Sequence, residues 1–362
     1  MELNQQKIAV LCNYELLQER VGGMDTFFWE FDQKCKGHNI EVDWFFPNAA
    51  THGNYKSMTI KYDPGKSIED FFLENLNQTN NQYTHIITHF LELCTPFFHK
   101  VKQVSNAKII GVDHNPRPLE GYPVVKKIKK RIKGLLYSQS IDLFIGVSDY
   151  TVRELLKDFG KHIRPKTRVI YNGINTAEIK TRTHRSYDKP TFLVASHLRQ
   201  SKGIQDLIQA VALLPESIKN EIKIDIYGDG PYRTALELMV KVLKINDCFN
   251  FKGSSSELKS LYCNYDYLLH PSHEETFCYS VLEALAANVI PVTTEEGGNV
   301  LNIIENGKNG FLFKAEDIKQ LSHLITLIWI GEIRIETHTR KLIEERFTFD
   351  KMVTEYLQIL NR

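Results

Sequence analysis

Short apolar runs rich in branched residues alternate along the whole chain with longer stretches of helical period. In the first half the runs are 7–12, 40–46, 85–90, 108–113, 141–147 and 168–171; in the second they are 191–195, 223–227, 249–252, 267–270, 289–293 and 310–313. Helical patterns fill the gaps, among them 25–35, 150–159, 204–213, 232–243 and 318–328. Short runs bounded by turn residues predict strands, and apolar residues three and four apart predict helices. Strand then helix, repeated, predicts parallel sheets with helices on both faces.

A dozen strands exceed what one open sheet holds comfortably. The pattern breaks after Asn172-Gly173, where a polar, charged stretch without an apolar period follows. This predicts two doubly wound Rossmann-like domains, 1–172 and 190–348, joined by a linker at 173–189. Ligands of such sheets bind beyond the carboxyl ends of the strands, so two facing domains would place a site in the cleft between them.

The chain has 362 residues, 42% hydrophobic and 25% charged, with a net charge of +1. That balance gives no reason to expect a nucleic-acid partner. Its six cysteines, at 12, 35, 94, 248, 263 and 278, show no metal-ligand spacing and read as reduced thiols of a cytoplasmic protein. No apolar run approaches the length of a membrane span. The expectation is a soluble chain.

One segment stands out, His270 to Ala286. It places Glu275 and Glu283 either side of a predicted strand-to-helix turn, with seven residues between them. Unbonded N–H groups at a helix start favour phosphate, and flanking carboxylates accept hydrogen bonds from sugar hydroxyls. Diphosphate with polyol describes a nucleotide sugar. Glutamates near helix starts also serve as simple caps, which is the competing reading.

Other loops end predicted strands in the same way. Gly22-Gly23, with Asp25 after it, opens the first helix, and its spacing is not that of a nicotinamide fingerprint. His114 lies at the end of the fourth run and His89 at the end of the third; a histidine there can hydrogen-bond a sugar hydroxyl or a developing charge. The loop His197 to Gly203 carries Arg199 and Lys202, which could neutralise a diphosphate leaving group. Gly228-Asp229-Gly230-Pro231 reads as structural, and the loop 294–299 repeats the theme of glycines opening a helix. The run Lys126 to Lys133 carries six positive charges with Val125, Ile128, Ile132 and Leu135 at apolar spacing. Contact with an anionic membrane surface and a solvated helix face are both open. Asp-x-Asp and the zincin, Walker and serine-elbow motifs are absent.

In their order these motifs resemble the retaining glycosyltransferases of family 4, which have the two-domain GT-B fold. The segment 275–283 looks like that family's E-x7-E element, and the likeness continues through Gly22-Gly23, Asn172-Gly173-Ile174, Lys202-Gly203, Gly228-Asp229-Gly230-Pro231 and Phe251-Lys252-Gly253. The resemblance implies a metal-independent transferase moving a hexose or N-acetylhexosamine from a nucleoside diphosphate sugar, a UDP-sugar first. The implied acceptor is a glycan or glycolipid hydroxyl, as in cell-surface polysaccharide or lipopolysaccharide synthesis. It implies that Glu283 binds the ribose and Glu275 the transferred sugar. The amides of Phe277 and Cys278 would lie along that sugar, and those of Val281 and Leu282 at ribose and phosphate. Lys202 and Gly23 would meet the diphosphate, His114 the reacting sugar, and Lys252 with Gly253 the base. His197 stands where an arginine is common, with Arg199 as a candidate replacement, and Thr276 and Cys278 stand where glycines are frequent. A terminal helix, 349–362, would cross back onto the first domain. A non-hydrolysing nucleotide-sugar epimerase and a non-catalytic sugar-binding subunit of the same fold are the alternatives.

Overall fold

The computed structural model describes residues 6–18, 21–78, 83–185, 188–295, 298 and 303–361. The chain forms two compact units. One comprises 1–115, 121–173 and 349–362; the other 116–120 and 174–348.

The first unit holds a parallel sheet of β1 (Gln6–Cys12), β2 (Ile40–Phe45), β3 (Thr59–Lys61), β4 (His85–His89), β5 (Lys108–Asp113), β6 (Leu143–Gly146) and β7 (Thr167–Val169). Their order is β3-β2-β1-β4-β5-β6-β7. Central strands such as Ile8–Cys12 are wholly buried, as continuous apolar runs covered on both faces require. Helix Gly23–Gly37 turns Phe27, Phe28 and Phe31 inward. The terminal helix Phe349–Leu360 packs on it, with Tyr356 5.6 Å from Phe27 and 5.8 Å from Phe31 between ring centroids. Lys34 bonds Asp350 at 2.6 Å, and Gln6 donates to the Leu360 carbonyl at 2.9 Å. The last helix is thereby part of the first unit.

The second unit holds β8 (Phe192–Ala195), β9 (Ile224–Tyr227), β10 (Phe249–Gly253), β11 (Tyr267–His270), β12 (Ile290–Thr294) and β13 (Phe311–Phe313), all parallel. Their order is β10-β9-β8-β11-β12-β13. The chain winds outward from β8 to β10 and then starts again on the other side at β11, so the sheet changes direction between β8 and β11. A crevice opens beyond the strands at such a point.

From Ile174 on, the stretch expected as a linker is fastened to this unit. Arg182 pairs with buried Asp266 at 2.7 Å and donates to the Cys263 carbonyl at 2.9 Å. Arg185 donates to the carbonyls of Ile335 and Thr337 at 2.6 and 3.0 Å. Half-buried arginine contacts do here what an apolar period does elsewhere, which is why the hydropathy pattern did not register the attachment. Strand β3 also went unpredicted, since three residues at a sheet edge carry no periodicity.

The basic helix Val124–Tyr137 lies on the first unit in an unexpected orientation. It docks through Gly134, where a Cβ would lie 2.2 Å from the Phe159 carbonyl oxygen, and through Lys130, 3.0 Å from Asp158. Its apolar side chains point outward. Val125, Ile128, Ile132 and Leu135 are 64, 55, 50 and 65% exposed.

Candidate donor site

The loops after β8 and β11 meet where the second sheet changes direction. Gly203 adopts φ 65°, and a Cβ there would collide with the Pro271 carbonyl. Only glycine allows that approach without strain. The His273 N–H donates to the Ser201 carbonyl at 2.9 Å, lacing the loops together. In the same way Gly228 closes on the Ser196 carbonyl, so Gly228-Asp229-Gly230 braces the first loop from behind.

These contacts bring Lys202 onto Glu275 as an ion pair, both side chains 14% exposed. Burial pushes the Glu275 carboxyl up, but Lys202 and His270 outweigh it and hold it down to about 2. Glu275 is therefore an acceptor only, suited to hydroxyl donors. His270, the last residue of β11, has its Nε2 3.4 Å from Glu275 Oε1 and 3.2 Å from Cys278 Sγ. Burial lowers its pKa, yet the thiol and the carboxylate raise it to about 10.

Helix Tyr279–Ala286 follows, with Cys278 at its cap position and no side-chain cap. Ser280 ties its first turn to the end of β8 by donating to the Ala195 carbonyl at 2.7 Å. Phe277, Cys278, Val281 and Leu282 have buried side chains, so the sugar-nucleotide contacts expected of them fall to backbone groups. Of the two amides expected at ribose and phosphate, that of Leu282 already donates to the Cys278 carbonyl at 3.3 Å. Val281 lies ahead of that first intrahelical bond, in the turn whose N–H groups have no helical acceptor. Glu283 sits one turn along and accepts from the Tyr262 hydroxyl at 3.0 Å. Burial raises its pKa, opposed by Lys259 and Tyr262. The Gly298 N–H donates to the Glu275 carbonyl at 2.7 Å; Glu296, Gly297 and Asn299 of the same loop lie outside the described residues.

His197 and Arg199 are exposed on the first loop. Partial burial of its ring, then Arg199 and Lys202, lower the His197 pKa, opposed by Asp229. Lys252 is exposed at the end of β10, 3.7 Å from Asp225, and Gly253 follows at φ 73°. Sequence reasoning missed Arg233, which lies 6.0 Å from the Phe251 ring and pairs with Asp229 and Glu237. It also missed Tyr262 and His270, whose contacts with Glu283 and Cys278 span 21 and 8 residues.

The remaining two predicted site residues belong to the first unit. Gly23 begins helix Gly23–Gly37 just beyond β1. The loop before it is fixed by buried Asp25, which accepts from the Gly22 N–H at 2.8 Å and from the hydroxyls of Tyr14 and Tyr55 at 3.0 and 2.6 Å. His114 is 7% exposed, stacked on Phe90 at 4.4 Å and bonded to His89 at 2.8 Å. Burial holds its pKa near 3, so it offers a neutral imidazole. One ring of this pair donates and the other accepts.

Two family models cover most of the chain. Residues 21–178 match glycosyltransferase family 4, and residues 175–345 match glycosyl transferases group 1. N-acetyl-alpha-D-glucosaminyl L-malate synthase of Bacillus anthracis is 24% identical over 290 residues, 71% of this chain and 75% of that protein. Alpha-monoglucosyldiacylglycerol synthase of Streptococcus pneumoniae is 28% identical over 63% of this chain, which spans about half, 54%, of that relative. Among solved structures, Anabaena Alr3699/HepE in complex with UDP superposes with a TM-score of 0.76 at 17% identity, covering 98% of this chain and 100% of the other. The fold is GT-B.

Proposed function

The chain belongs to the family 4 type of GT-B glycosyltransferases, which use nucleotide sugars, and from that membership we propose a retaining transferase acting in cell-surface glycan synthesis. It moves a hexose or N-acetylhexosamine from a UDP-sugar to a hydroxyl of a glycan or lipid-linked acceptor. The complexes of Alr3699/HepE with UDP and UDP-glucose support the choice of base. The name of the pneumococcal synthase supports a lipid-linked acceptor.

The observation that carries this reading is the Lys202–Glu275 pair at the change of strand direction, just ahead of the helix Tyr279–Ala286 that carries Glu283. A diphosphate brings more negative charge to Lys202 than a single carboxylate does, so the lysine turns to the phosphates. Glu275 is then released to accept from the sugar hydroxyls. Glu283, steadied by Tyr262, accepts from the ribose diol, while the amides of Phe277 and Cys278 at the helix entry and of Val281 in its first turn line the sugar and phosphate. Gly23 and His114 keep the parts the family resemblance implies, at diphosphate and sugar.

Negative charge grows on the departing diphosphate as the glycosidic C–O bond breaks, and Lys202 with Arg199 stabilises it. The acceptor oxygen bonds the anomeric carbon on the face the diphosphate leaves, and its proton passes to a phosphate oxygen. Configuration is thereby retained, without a protein nucleophile or a metal.

Peripheral attachment to an anionic membrane is part of the proposal. Among the described residues no helix is long and apolar enough to cross a membrane. The outward apolar stripe of helix Val124–Tyr137, with exposed Lys126, Lys127, Lys129 and Arg131 around it, fits an anionic lipid surface.

The test is incubation of purified protein with UDP-glucose, UDP-galactose or UDP-N-acetylglucosamine, with and without glycan and lipid-linked acceptors. Product anomers are read by NMR. An α-linked product from the α-donor is expected, with no change to the sugar when the acceptor is left out. Inverted product overturns the mechanism, and acceptor-independent alteration at a ring carbon would identify an epimerase instead.

A further inference from the structure

The side chains of His270 and Cys278 take no part in the donor contacts above, yet with Glu275 they form a compact donor set. His270 Nε2 lies 3.2 Å from Cys278 Sγ and 3.4 Å from Glu275 Oε1. One ligand atom from each of the three falls within 4.8 Å of the others. His270 and Cys278 are 2 and 4% exposed, so this is not a chance surface cluster.

Tetrahedral zinc sets a scale for these distances. With Zn–S near 2.3 Å and Zn–N or Zn–O near 2.0–2.1 Å, neighbouring ligand atoms stand about 3.3–3.6 Å apart. Both separations from His270 already lie close to that edge length. The ligand types agree as well, since thiolate, imidazole and carboxylate together suit a borderline-soft divalent cation rather than magnesium or calcium. Three protein ligands leave the fourth position to water.

We propose that His270, Glu275 and Cys278 form a zinc-binding site whose occupation excludes the sugar donor. Zinc bonds the Cys278 sulfur, the His270 Nε2 and a Glu275 oxygen, and protons held by the thiol and the imidazole pass to solvent. No oxidation or reduction takes place. Glu275 then belongs to the metal, its pair with Lys202 is broken, and it no longer faces a sugar hydroxyl. The exclusion of donor rests on the donor-site reading above; the metal site does not.

The experiment titrates the metal-free full chain with Co2+ as a spectroscopic probe and then with Zn2+. One equivalent of Co2+ should bind with a thiolate-to-cobalt charge-transfer band, and Zn2+ should displace it. Cys278→Ser should lose the band and weaken Zn2+ binding by more than about tenfold, with circular dichroism unchanged. His270→Ala should weaken binding similarly; if it fails to fold, the Cys278→Ser result decides alone. Binding without the band, or Zn2+ affinity unchanged in Cys278→Ser, overturns the site. Repeating the Zn2+ titration with saturating UDP-glucose separates the two readings. Competition supports both, whereas a metal site indifferent to UDP-sugars stands while the donor assignment of Glu275 falls.

Discussion

Gly203 stands so close to Pro271 that a Cβ on the glycine would lie 1.9 Å from the proline carbonyl oxygen. This approach sets the position of Lys202, one residue earlier, against Glu275. Gly203→Ala combines that collision with a left-handed backbone that costs an ordinary residue about 1–2 kcal/mol. The variant should melt several degrees lower. The thermal shift given by a UDP-sugar should shrink with it, because the lysine moves with the loop. Calorimetry with and without UDP-glucose reads both; a variant with the parent's melting point and shift would show that the loops are not locked here.

Lys202 and Glu275 should prove coupled in a double-mutant cycle. Removing the lysine leaves a buried carboxylate without its main cation, a change that costs up to about 3–5 kcal/mol in a fully buried pair and less at this partial exposure. Lys202→Ala should therefore be less stable than Lys202→Ala/Glu275→Gln, by about 1 kcal/mol or more in urea unfolding. Transfer should fall by roughly a hundredfold or more in each single variant, the scale of losing one charge-stabilising contact. A rate close to that of the parent in either would remove that residue from the site.

Much of this arrangement is legible in the residues, and the remainder has physical reasons for being hidden. Runs such as Ile8–Cys12 and Tyr267–His270 announce buried parallel strands because no polar position interrupts them. Strand order is not written in any run, so the change of direction between β8 and β11 emerges only from the pairing of Phe192 with Tyr267. His89 and His114 are each visible as strand-end histidines, but not their shared hydrogen bond across 25 residues. The spacing of Glu275 and Glu283 suggested a site; Tyr262 and His270, which fix those carboxylates, belong to no local pattern. Helix Val124–Tyr137 has an ordinary amphipathic sequence, and only the contact at Gly134 reveals which face was turned outward.

The histidine pair makes the first unit sensitive to acid. His89 and His114 are lowered by burial, His114 to about 3 and His89 well below its usual range with His114 adding to the shift. Burial and then Lys108 hold His85 to about 4. The unfolded chain takes up protons near pH 6.5, while the folded one does not until far lower. Stability is thus fully present above about pH 7 and is lost as pH falls through 6.5 toward 4. The slope approaches about 1.4 kcal/mol per pH unit for each histidine. Unfolding at pH 7.5, 6.0 and 5.0 measures it, and His89→Gln should flatten the curve. A stability independent of pH over that window would mean the pair is charged or exposed in solution.

The outward stripe on helix Val124–Tyr137 yields a prediction that separates charge from apolar contact. Lys130 and Lys133 are held by Asp158 and Glu92 at 3.0 and 2.6 Å, so reversing them would disturb the fold as well as the surface. Lys126, Lys127 and Lys129 are exposed, and the three can be changed to Glu together. With about 1 kcal/mol per basic residue at an anionic surface, binding to phosphatidylserine vesicles should weaken by more than roughly a hundredfold. Ile128, Ile132 and Leu135 are at least half exposed, so changing them to Ser should leave stability within about 0.5 kcal/mol. Vesicle binding should nevertheless fall, and that loss should persist at high salt, where the charge contribution is screened. Sedimentation with anionic and neutral vesicles at two salt concentrations gives every arm of the comparison. If neither set of changes alters binding, the stripe is not the membrane contact and the peripheral assignment fails with it.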